Sequence, residues 1–408
     1  MPAETSLTTA QTSIKHGFLP FSSKSRHPEI SAALDDVPRY LFRVHAPTTA
    51  GQTTTDYVAS RAAVFGLPSS TTDILTIPDQ DAAEMINCHL RGWSRNTDNL
   101  ISWSSSLLFV LQYALYRNVK IGDELSDIQV HVLDTLGLPS GAFISDMALL
   151  DTFASKHRKE KMNLSNFRHL RRNTLYNFGE YLCQGTLFYD GRCASASLND
   201  IVHHGLFKLC PEMEEANEKS ELAKRVLKMR DQCFGSPSAA TKQEIRAALA
   251  ISQGCFGEEW ALPLMAALLS LRKRYPDDDV IIEAFKANFS GKKSFYVYEE
   301  IVATKRGALK SFSDERLPEI FQFEGIIQDI HNEHSLRTLD SIIASTIGLS
   351  RKLSPENSVV SLLIYFWSPP NLLFSKFKSH LVNFERELGE SWKDVSPVPY
   401  VGFDYCAG

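Results

Sequence analysis

The sequence predicts an α+β domain followed by an all-α domain. Stretches rich in aromatic and β-branched residues, typical of strands, occur at residues 39–45, 128–134 and 176–189. From about residue 212 onward, apolar residues recur at helical spacing instead. The predicted parts are a loosely attached N-terminus (1–35), the α+β domain (36–212), a linking helix (213–235) and the helical domain (236–408).

Composition is typical of a globular protein with a sizeable core. The chain has 408 residues, 43% hydrophobic and 22% charged, with a net charge of -5, and its length favours two domains. The negative charge argues against a general nucleic-acid binder. Seven cysteines, an odd number without a CxxC pair, argue against a zinc site or a disulfide framework and indicate a reducing compartment.

Targeting signals are not apparent in the sequence. The N-terminus has no apolar segment of the signal-peptide type, and no apolar run is long enough to span a bilayer. We therefore expect a cytoplasmic protein without membrane contact, with a nuclear location left open.

The first strong strand pattern is RYLFRVH at residues 39–45. In an extended chain Arg43 and His45 share one face with Leu41, because successive side chains alternate. A face with two polar members suits the wall of a cleft.

Residues 99–117, NLISWSSSLLFVLQYALYR, predict a short strand, a serine cluster and a helix. Residues 104–106 are serines that suit an N-cap, and leucines recur at helical spacing from Leu107 to Leu115. A hydroxyl-rich corner of this kind suits small-molecule contacts. The alternative is a capped core helix with no binding role.

A strand carrying one acid is predicted within residues 176–189. Glu180 is flanked by aromatic and apolar residues, and a carboxylate there is unfavourable unless it is paired or a function requires it. Its candidate structural partners are Arg168 and Arg171. Glu180 is therefore the acid that most needs an explanation.

Several familiar motifs are absent or incomplete. Residues 291–294, GKKS, resemble the end of a phosphate-binding loop but lack the first glycine, and His331 with His334 lacks a third metal ligand. No GxSxG elbow or GxGxxG loop is present, which argues against α/β-hydrolases and dinucleotide-fold dehydrogenases.

The second half of the chain predicts helices without any recognisable chemistry. The predicted helices cover residues 214–233, 240–252, 258–274, 278–288, 317–331, 336–349, 358–367 and 372–388.

Three of these features, in chain order, resemble the cholera-toxin-like group of ADP-ribosyltransferases. That group has an arginine on its first strand, a Ser-Thr-Ser motif and a glutamate, and here Arg43, Ser102-Trp103-Ser104 and Glu180 match them in order. Residues 178–182, FGEYL, are also similar to the glutamate strand of poly(ADP-ribose) polymerases. The arrangement resembles uncharacterised fungal proteins that pair such a domain with a helical one, and the resemblance covers roughly residues 36–210.

The resemblance implies a split sheet with a cleft, NAD as substrate and three catalytic residues. Glu180 would stabilise the oxocarbenium-like state and hold a ribose hydroxyl. Arg43 would bind the dinucleotide phosphates or the adjacent ribose through its planar fork. Ser102 would orient Glu180 by a hydrogen bond.

The same resemblance places further residues at the NAD site. Trp103 and Tyr181 are candidates to stack on the nicotinamide, and Ser104 is a further candidate contact. No metal site is implied.

The match departs from the family at two positions. Trp103 replaces the middle threonine, and Phe178 stands where arginine-modifying members carry a second acid, so arginine is a less favoured acceptor. The expected activity is mono-ADP-ribosyl transfer to an unknown acceptor, such as a protein, or NAD hydrolysis with water as acceptor. The alternative is a catalytically inactive binding or regulatory protein that acts through its helical domain. The oligomeric state is left open.

Overall fold

The computed structural model describes residues 18–22, 27–93, 95–157, 162–172, 176–215, 219–289 and 317–350. The chain divides into two compact units, residues 1–329 and 330–408. All strands of the described residues lie in the first unit.

Nine short strands form in the first half of the chain, where β-branched and aromatic residues are frequent. They are β1 (Tyr40–His45), β2 (Gln52–Thr53), β3 (Tyr57–Ala59), β4 (Leu100–Ser104), β5 (Gln129–Asp134), β6 (Ile144–Ser145), β7 (Glu180–Gln184), β8 (Thr186–Phe188) and β9 (Cys193–Ser197).

Helices occupy most connections between strands, and in the described residues after the last strand the regular elements are helices joined by short loops. Those among the strands are α1 (Arg61–Val64), α2 (Asp79–Leu90), α3 (Leu107–Tyr116), α4 (Asp146–Phe153) and α5 (Leu164–Arg172). Those after the last strand are α6 (Leu198–His203), α7 (Leu206–Leu209), α8 (Ala223–Phe234), α9 (Lys242–Phe256), α10 (Ala261–Leu269), α11 (Asp279–Phe289) and α12 (Pro318–Ser350).

The strands form two antiparallel sheets. The larger has the order β6-β7-β4-β1-β5-β9, and the smaller has the order β2-β3-β8. The chain passes from the larger sheet to the smaller at Gly185, whose φ of +67° suits glycine. The first part of the chain is therefore mixed α and β with a split antiparallel sheet, as predicted at that level.

The larger sheet opens between β1 and β4. Strand β1 pairs with β5 at six positions but with β4 at one, where Phe42 lies opposite Ser104. Strand β4, in contrast, is paired along its whole length with β7. In the gap between β1 and β4, backbone N–H and C=O groups that would otherwise pair between the strands are open to side chains.

Side chains of β4 and β7 alternate between two hydrophobic cores. Trp103 and Tyr181 lie in one core, together with Leu41. Leu100 and Leu182 lie in the other, which α2 and α4 cover. Alternation therefore places the side chains of Ser102 and Glu180 on the face opposite to Trp103 and Tyr181.

Several predicted elements are confirmed. Helix α3 lies within the predicted stretch of residues 99–117, with Ser106 of the predicted serine cap as its N-cap, accepting a hydrogen bond from the Phe109 amide. Strands β1, β5 and β7 lie within the predicted stretches.

The second half differs from the prediction in two ways. Residues 317–331 and 336–349 belong to one helix, α12, rather than two, because no breaker separates them. The first compact unit continues to residue 329, so it does not end at the predicted linker of residues 213–235. The predicted helices at 358–367 and 372–388, and the GKKS stretch, lie outside the described residues.

In the described part of the chain, no helix combines the length and the apolar character needed to cross a membrane.

Candidate functional site

A cleft of about 660 Å³ lies beside the opening between β1 and β4. Its size suits a cofactor-sized ligand. Side chains from β1, α2, β4, α3, α5 and the start of β7 line it. Its polar lining includes Arg43, His89, Asp98, Ser102, Arg171 and Glu180.

Arg43 spans the gap between the two strands. Its Nη1 donates to the backbone carbonyl of Ser102 at 2.5 Å, and its Nε donates to Thr53 Oγ1 at 3.0 Å. Burial lowers the pKa of the guanidinium, which nevertheless stays charged. Among the described residues no carboxylate forms an ion pair with Arg43. Its positive charge therefore remains available to an anionic ligand.

Glu180, the first residue of β7, receives a donor on each carboxylate oxygen. Ser102 Oγ donates to Oε1 at 2.5 Å, and Arg171 Nη2 donates to Oε2 at 2.5 Å. The side chain is 15% exposed. Arg171 is thus the structural partner of Glu180, whereas Arg168 pairs with Asp151. The structure brings Arg43, Ser102 and Glu180 together, as the sequence order predicts, through the backbone and side chain of Ser102.

A histidine and a second acid join this group. His89, in the last turn of α2, has its Nε2 2.8 Å from Ser102 Oγ and its Nδ1 2.7 Å from Asp98 Oδ2. Burial alone lowers the pKa of His89, but the charge and hydrogen bond of Asp98, with the charge of Glu180, raise it overall above the ordinary value. The ring is therefore electrostatically biased toward its protonated form.

The other serines of the corner hold the backbone before Glu180 rather than face a ligand. Ser104 Oγ donates to the carbonyl of Phe178 at 2.6 Å and is 3% exposed. Ser105 Oγ and its amide both donate to the Gly179 carbonyl. The predicted role of Ser104 as a ligand contact does not fit this placement, because its hydroxyl is buried and already engaged.

The aromatic residues predicted to stack on a ligand lie in the core. Trp103 is 1% exposed and Tyr181 is 2% exposed. The Trp103 ring contacts the rings of Phe143 and Tyr189 edge-on, at centroid distances of 6.2 and 5.8 Å. Stacking on a ligand in the cleft would require these rings to leave the core, so the proposed stacking role is corrected to a packing role. The sequence pattern missed this because it did not assign a face to Trp103.

Different aromatic rings line the cleft wall. Phe109 and Tyr113 lie one turn apart on α3, half-buried and nearly parallel, with centroids 6.2 Å apart. Phe178 stacks on Phe109 at 4.7 Å and lies under the guanidinium of Arg171. These rings offer flat apolar surface to a planar group. The leucines of α3 predict its buried face, whereas Phe109 and Tyr113 on its cleft face form no recognisable sequence motif.

The cleft carries more positive than negative residues. Five arginines and two carboxylates line it. Of the arginines, Arg117 pairs with Asp123, while Arg91 donates to the neutral oxygens of Asn87 and Asn163. Arginine forks with unneutralised charge favour phosphate groups. The electrostatics of the cleft therefore favour an anionic ligand.

One cluster away from the cleft has metal-ligand character. The ligand atoms of Cys210, Glu212 and Cys233 all lie within 4.8 Å of one another. Both oxygens of Glu212 accept hydrogen bonds from Arg272 Nη2, at 2.7 and 2.9 Å. A cation there would have to displace or repel that guanidinium, so the cluster fits an ion pair beside two thiols better than a metal centre.

The residues of the cleft that sequence reasoning missed are His89, Asp98, Phe109 and Tyr113. A usable signal was present for the first two. His89 lies in the last turn of α2 and Asp98 lies two residues before β4, so both flank one loop that leads into Ser102. The contact between His89 and Asp98 depends on the backbone conformation of that loop, which the sequence does not specify.

The fold and the site together define a mixed α/β protein with an arginine-lined cleft at the opening of an antiparallel sheet. Residues 36–187 match the family model of a domain of unknown function, DUF7587. The matched range includes the polar and aromatic residues of the cleft described above. They are Arg43, His89, Asp98, Ser102, Phe109, Tyr113, Arg171, Phe178 and Glu180. No curated protein and no solved structure matches the chain.

Proposed function

We propose that the protein is an NAD-dependent ADP-ribosyltransferase-like enzyme that transfers ADP-ribose to a protein acceptor or to water. The observation that carries the proposal is the meeting of Arg43, Ser102 and Glu180 where β1 and β4 separate. Arg43 Nη1 contacts the Ser102 carbonyl, and Ser102 Oγ contacts the Glu180 carboxylate. An arginine, a serine and a glutamate on three neighbouring strands therefore face one cleft.

Each residue has a role that its contacts support. Arg43, with no carboxylate partner in the described chain, binds the diphosphate of NAD. Glu180 holds a ribose hydroxyl and stabilises positive charge at the anomeric carbon. Ser102 orients Glu180, and Phe109 with Tyr113 provides the ring surface for the nicotinamide.

The reaction breaks the bond between the ribose anomeric carbon and the nicotinamide nitrogen. The bonding electrons leave with nicotinamide, and the ribose passes through an oxocarbenium-like state beside Glu180. An acceptor hydroxyl or water then forms the new bond to that carbon and releases its proton to the surrounding solvent. Arg171 Nη2 donates to Glu180 Oε2 at 2.5 Å and thereby fixes the orientation of the carboxylate beside the ribose.

Release of nicotinamide from NAD by the purified full chain tests the proposal. We expect turnover that falls at least about a hundredfold in Glu180→Gln, the loss typical of a group that stabilises transition-state charge. The matched control, Glu124→Gln, changes an exposed acid outside the cleft and should retain full turnover.

Labelled NAD then separates the two acceptors. Label on protein indicates transfer, and free ADP-ribose indicates hydrolysis. The absence of nicotinamide release with and without added protein acceptor would overturn the enzyme proposal. Equal turnover in Glu180→Gln and the wild type would overturn it as well.

One observation favours a second candidate, a non-catalytic protein that binds its ligand in the same cleft. The ion pair between Glu180 and Arg171 already occupies one carboxylate oxygen. If that pair is permanent, the cleft binds an anion without cleaving it. Calorimetry with NAD would then show binding that Arg43→Ala abolishes, with no nicotinamide release.

A further inference from the structure

A continuous chain of hydrogen bonds runs through the cleft from Asp98 to Arg171. Its members are, in order, Asp98, His89, Ser102, Glu180 and Arg171, joined at 2.7, 2.8, 2.5 and 2.5 Å. The chain links the loop before β4, helix α2, strand β4, strand β7 and helix α5. The resemblance discussed above accounts for Ser102 and Glu180 but for neither His89 nor Asp98.

The positions of the protons follow from what each group can donate. The Glu180 carboxylate only accepts, so the single proton of the Ser102 hydroxyl lies on the Glu180 side. Ser102 Oγ then needs a donor from His89 Nε2, 2.8 Å away. The Asp98 carboxylate also only accepts, so His89 Nδ1 must carry a proton as well. All contacts are satisfied together only when His89 is an imidazolium.

The surroundings of the ring are consistent with that form. Two carboxylates face it, Asp98 from the loop before β4 and Glu180 from β7, while Arg43 faces it from β1. Arg171, from α5, reaches the far oxygen of Glu180. Burial lowers the pKa of His89, but the two acids outweigh burial and Arg43, so the pKa is raised.

We propose that His89, anchored by Asp98, is a positioning residue that holds the Ser102 hydroxyl on Glu180 only while its ring is doubly protonated. This inference rests on the proposed function, because the reaction that Glu180 performs is the one proposed above. When His89 loses its Nε2 proton, that nitrogen becomes an acceptor. The Ser102 proton is then shared between His89 and Glu180, and Glu180 loses a fixed donor.

The arrangement has a competing interpretation with the same contacts. Asp98, His89 and Ser102 have the order and spacing of a nucleophilic serine with its base and orienting acid. In that case Ser102 would donate to a neutral His89, which would act as a general base. The 2.5 Å contact of Ser102 with a carboxylate favours the positioning role, because the carboxylate takes the only hydroxyl proton.

The first test is a titration of His89 in the full chain, which requires no activity. Histidines are labelled with carbon-13, and His89→Gln assigns the signal. We expect a His89 pKa above the ordinary value of about 6.5, lowered in both Asp98→Asn and Glu180→Gln. Asp151→Asn, which removes an acid paired with Arg168 and Arg172, should leave it unchanged. A His89 pKa at or below the ordinary value, or one unaffected by both variants, would overturn the proposal.

The second test is the pH dependence of nicotinamide release. We expect kcat to fall about tenfold as pH rises through the His89 pKa, with KM nearly constant. In Asp98→Asn this decline should move to lower pH, and in His89→Gln it should disappear at a kcat about tenfold below the wild type, since an amide cannot titrate. An unchanged profile in both variants would contradict the positioning role.

A serine-directed fluorophosphonate probe separates the two interpretations of Ser102. We expect no covalent labelling of Ser102, since its proton is committed to Glu180. Labelling that depends on His89 would overturn the proposal in favour of a nucleophilic serine. If the wild type releases no nicotinamide, the titration and the probe still decide the His89 question, so the failure of the enzyme proposal and of this inference are distinguishable.

Discussion

The Arg43 side chain supplies a hydrogen bond to β4 at a position where β1 and β4 are not paired. Beyond the single pair of Phe42 and Ser104, strands β1 and β4 no longer exchange hydrogen bonds, and the Ser102 carbonyl would lack a partner from β1. The Arg43 guanidinium supplies that donor from the side of the gap. One side chain thus satisfies the opened backbone and places a positive charge at the cleft.

Substitution Arg43→Lys should separate charge from geometry. Lysine keeps the charge but cannot donate to both Thr53 and Ser102 with a rigid fork, so we expect KM for NAD to rise about tenfold, equivalent to about 1.4 kcal/mol of binding. The comparison is Arg39→Lys, whose arginine pairs with Asp134 outside the cleft. Steady-state kinetics of nicotinamide release measures both. Equal KM values in the two variants would argue against phosphate binding by Arg43.

At the residue scale, the order of residues along the sequence predicted which side chains meet when those side chains lie on neighbouring strands. Arg43, Ser102 and Glu180 could be identified because each lies on a recognisable strand. The ring surface could not, because Trp103 looks like a ligand contact until the pairing register assigns its face. That register places Trp103 opposite Tyr181, with both rings in the core.

The segment that delivers Glu180 to the cleft is a tightly held turn at residues 177–179. Gly179 has a φ of +60°, and a Cβ there would lie 2.1 Å from Ser105 Oγ and 2.9 Å from Leu317 Cδ1. The Gly179 carbonyl accepts from the Ser105 amide at 2.8 Å. The serine cluster after β4 therefore fixes the start of β7 and, with it, the position of Glu180.

We expect Gly179→Ala to lower the free energy of unfolding by about 2 kcal/mol or more, through left-handed strain and steric overlap together. Gly191→Ala is the matched control, because its φ is +77° but a Cβ there would contact nothing within 4 Å. It should cost about 1 kcal/mol, from strain alone. Urea unfolding measures both values. Equal losses in the two variants would show that the turn is not sterically constrained.

Element existence was predictable from the sequence, whereas the opening of the sheet was not. Helix α3 and strand β4 have strong local patterns and lie within the predicted stretch of residues 99–117. The separation of β1 from β4 depends on pairing between residues about 60 positions apart in sequence, to which local patterns are insensitive. The resemblance to a known family, rather than periodicity, is what pointed to a split sheet.

At the scale of the molecule, the helical half supports the cleft. Arg230 of α8 pairs with Glu319 of α12 at 2.7 Å and donates to the Asn177 carbonyl at 2.8 Å. Ser106, the N-cap of α3, donates to the same carboxylate of Glu319 at 2.5 Å. A buried polar network thus joins two later helices to the turn before Glu180. The predicted separation into two domains near residue 212 overlooked it because these contacts join residues that are 53, 89 and 213 positions apart in sequence.

Substitution Glu319→Gln tests how strongly this network supports the fold. The variant removes the Glu319 charge from its buried pair with Arg230, whose side chain is 5% exposed. Removing one partner of a buried pair costs about 3–5 kcal/mol, and the surviving amide oxygen should keep the loss near the lower end. Thermal and urea unfolding measure this loss against that of Glu283→Gln. Glu283 forms an exposed pair with Lys286, so less than about 0.5 kcal/mol is expected for the control.

The same variants test whether the network positions Glu180. Because Arg230 also donates to the Asn177 carbonyl, Glu319→Gln should lower nicotinamide release, whereas Glu283→Gln should not. A Glu319 variant that unfolds like the control would mean that the helical half packs against the sheet without bearing on the position of Glu180.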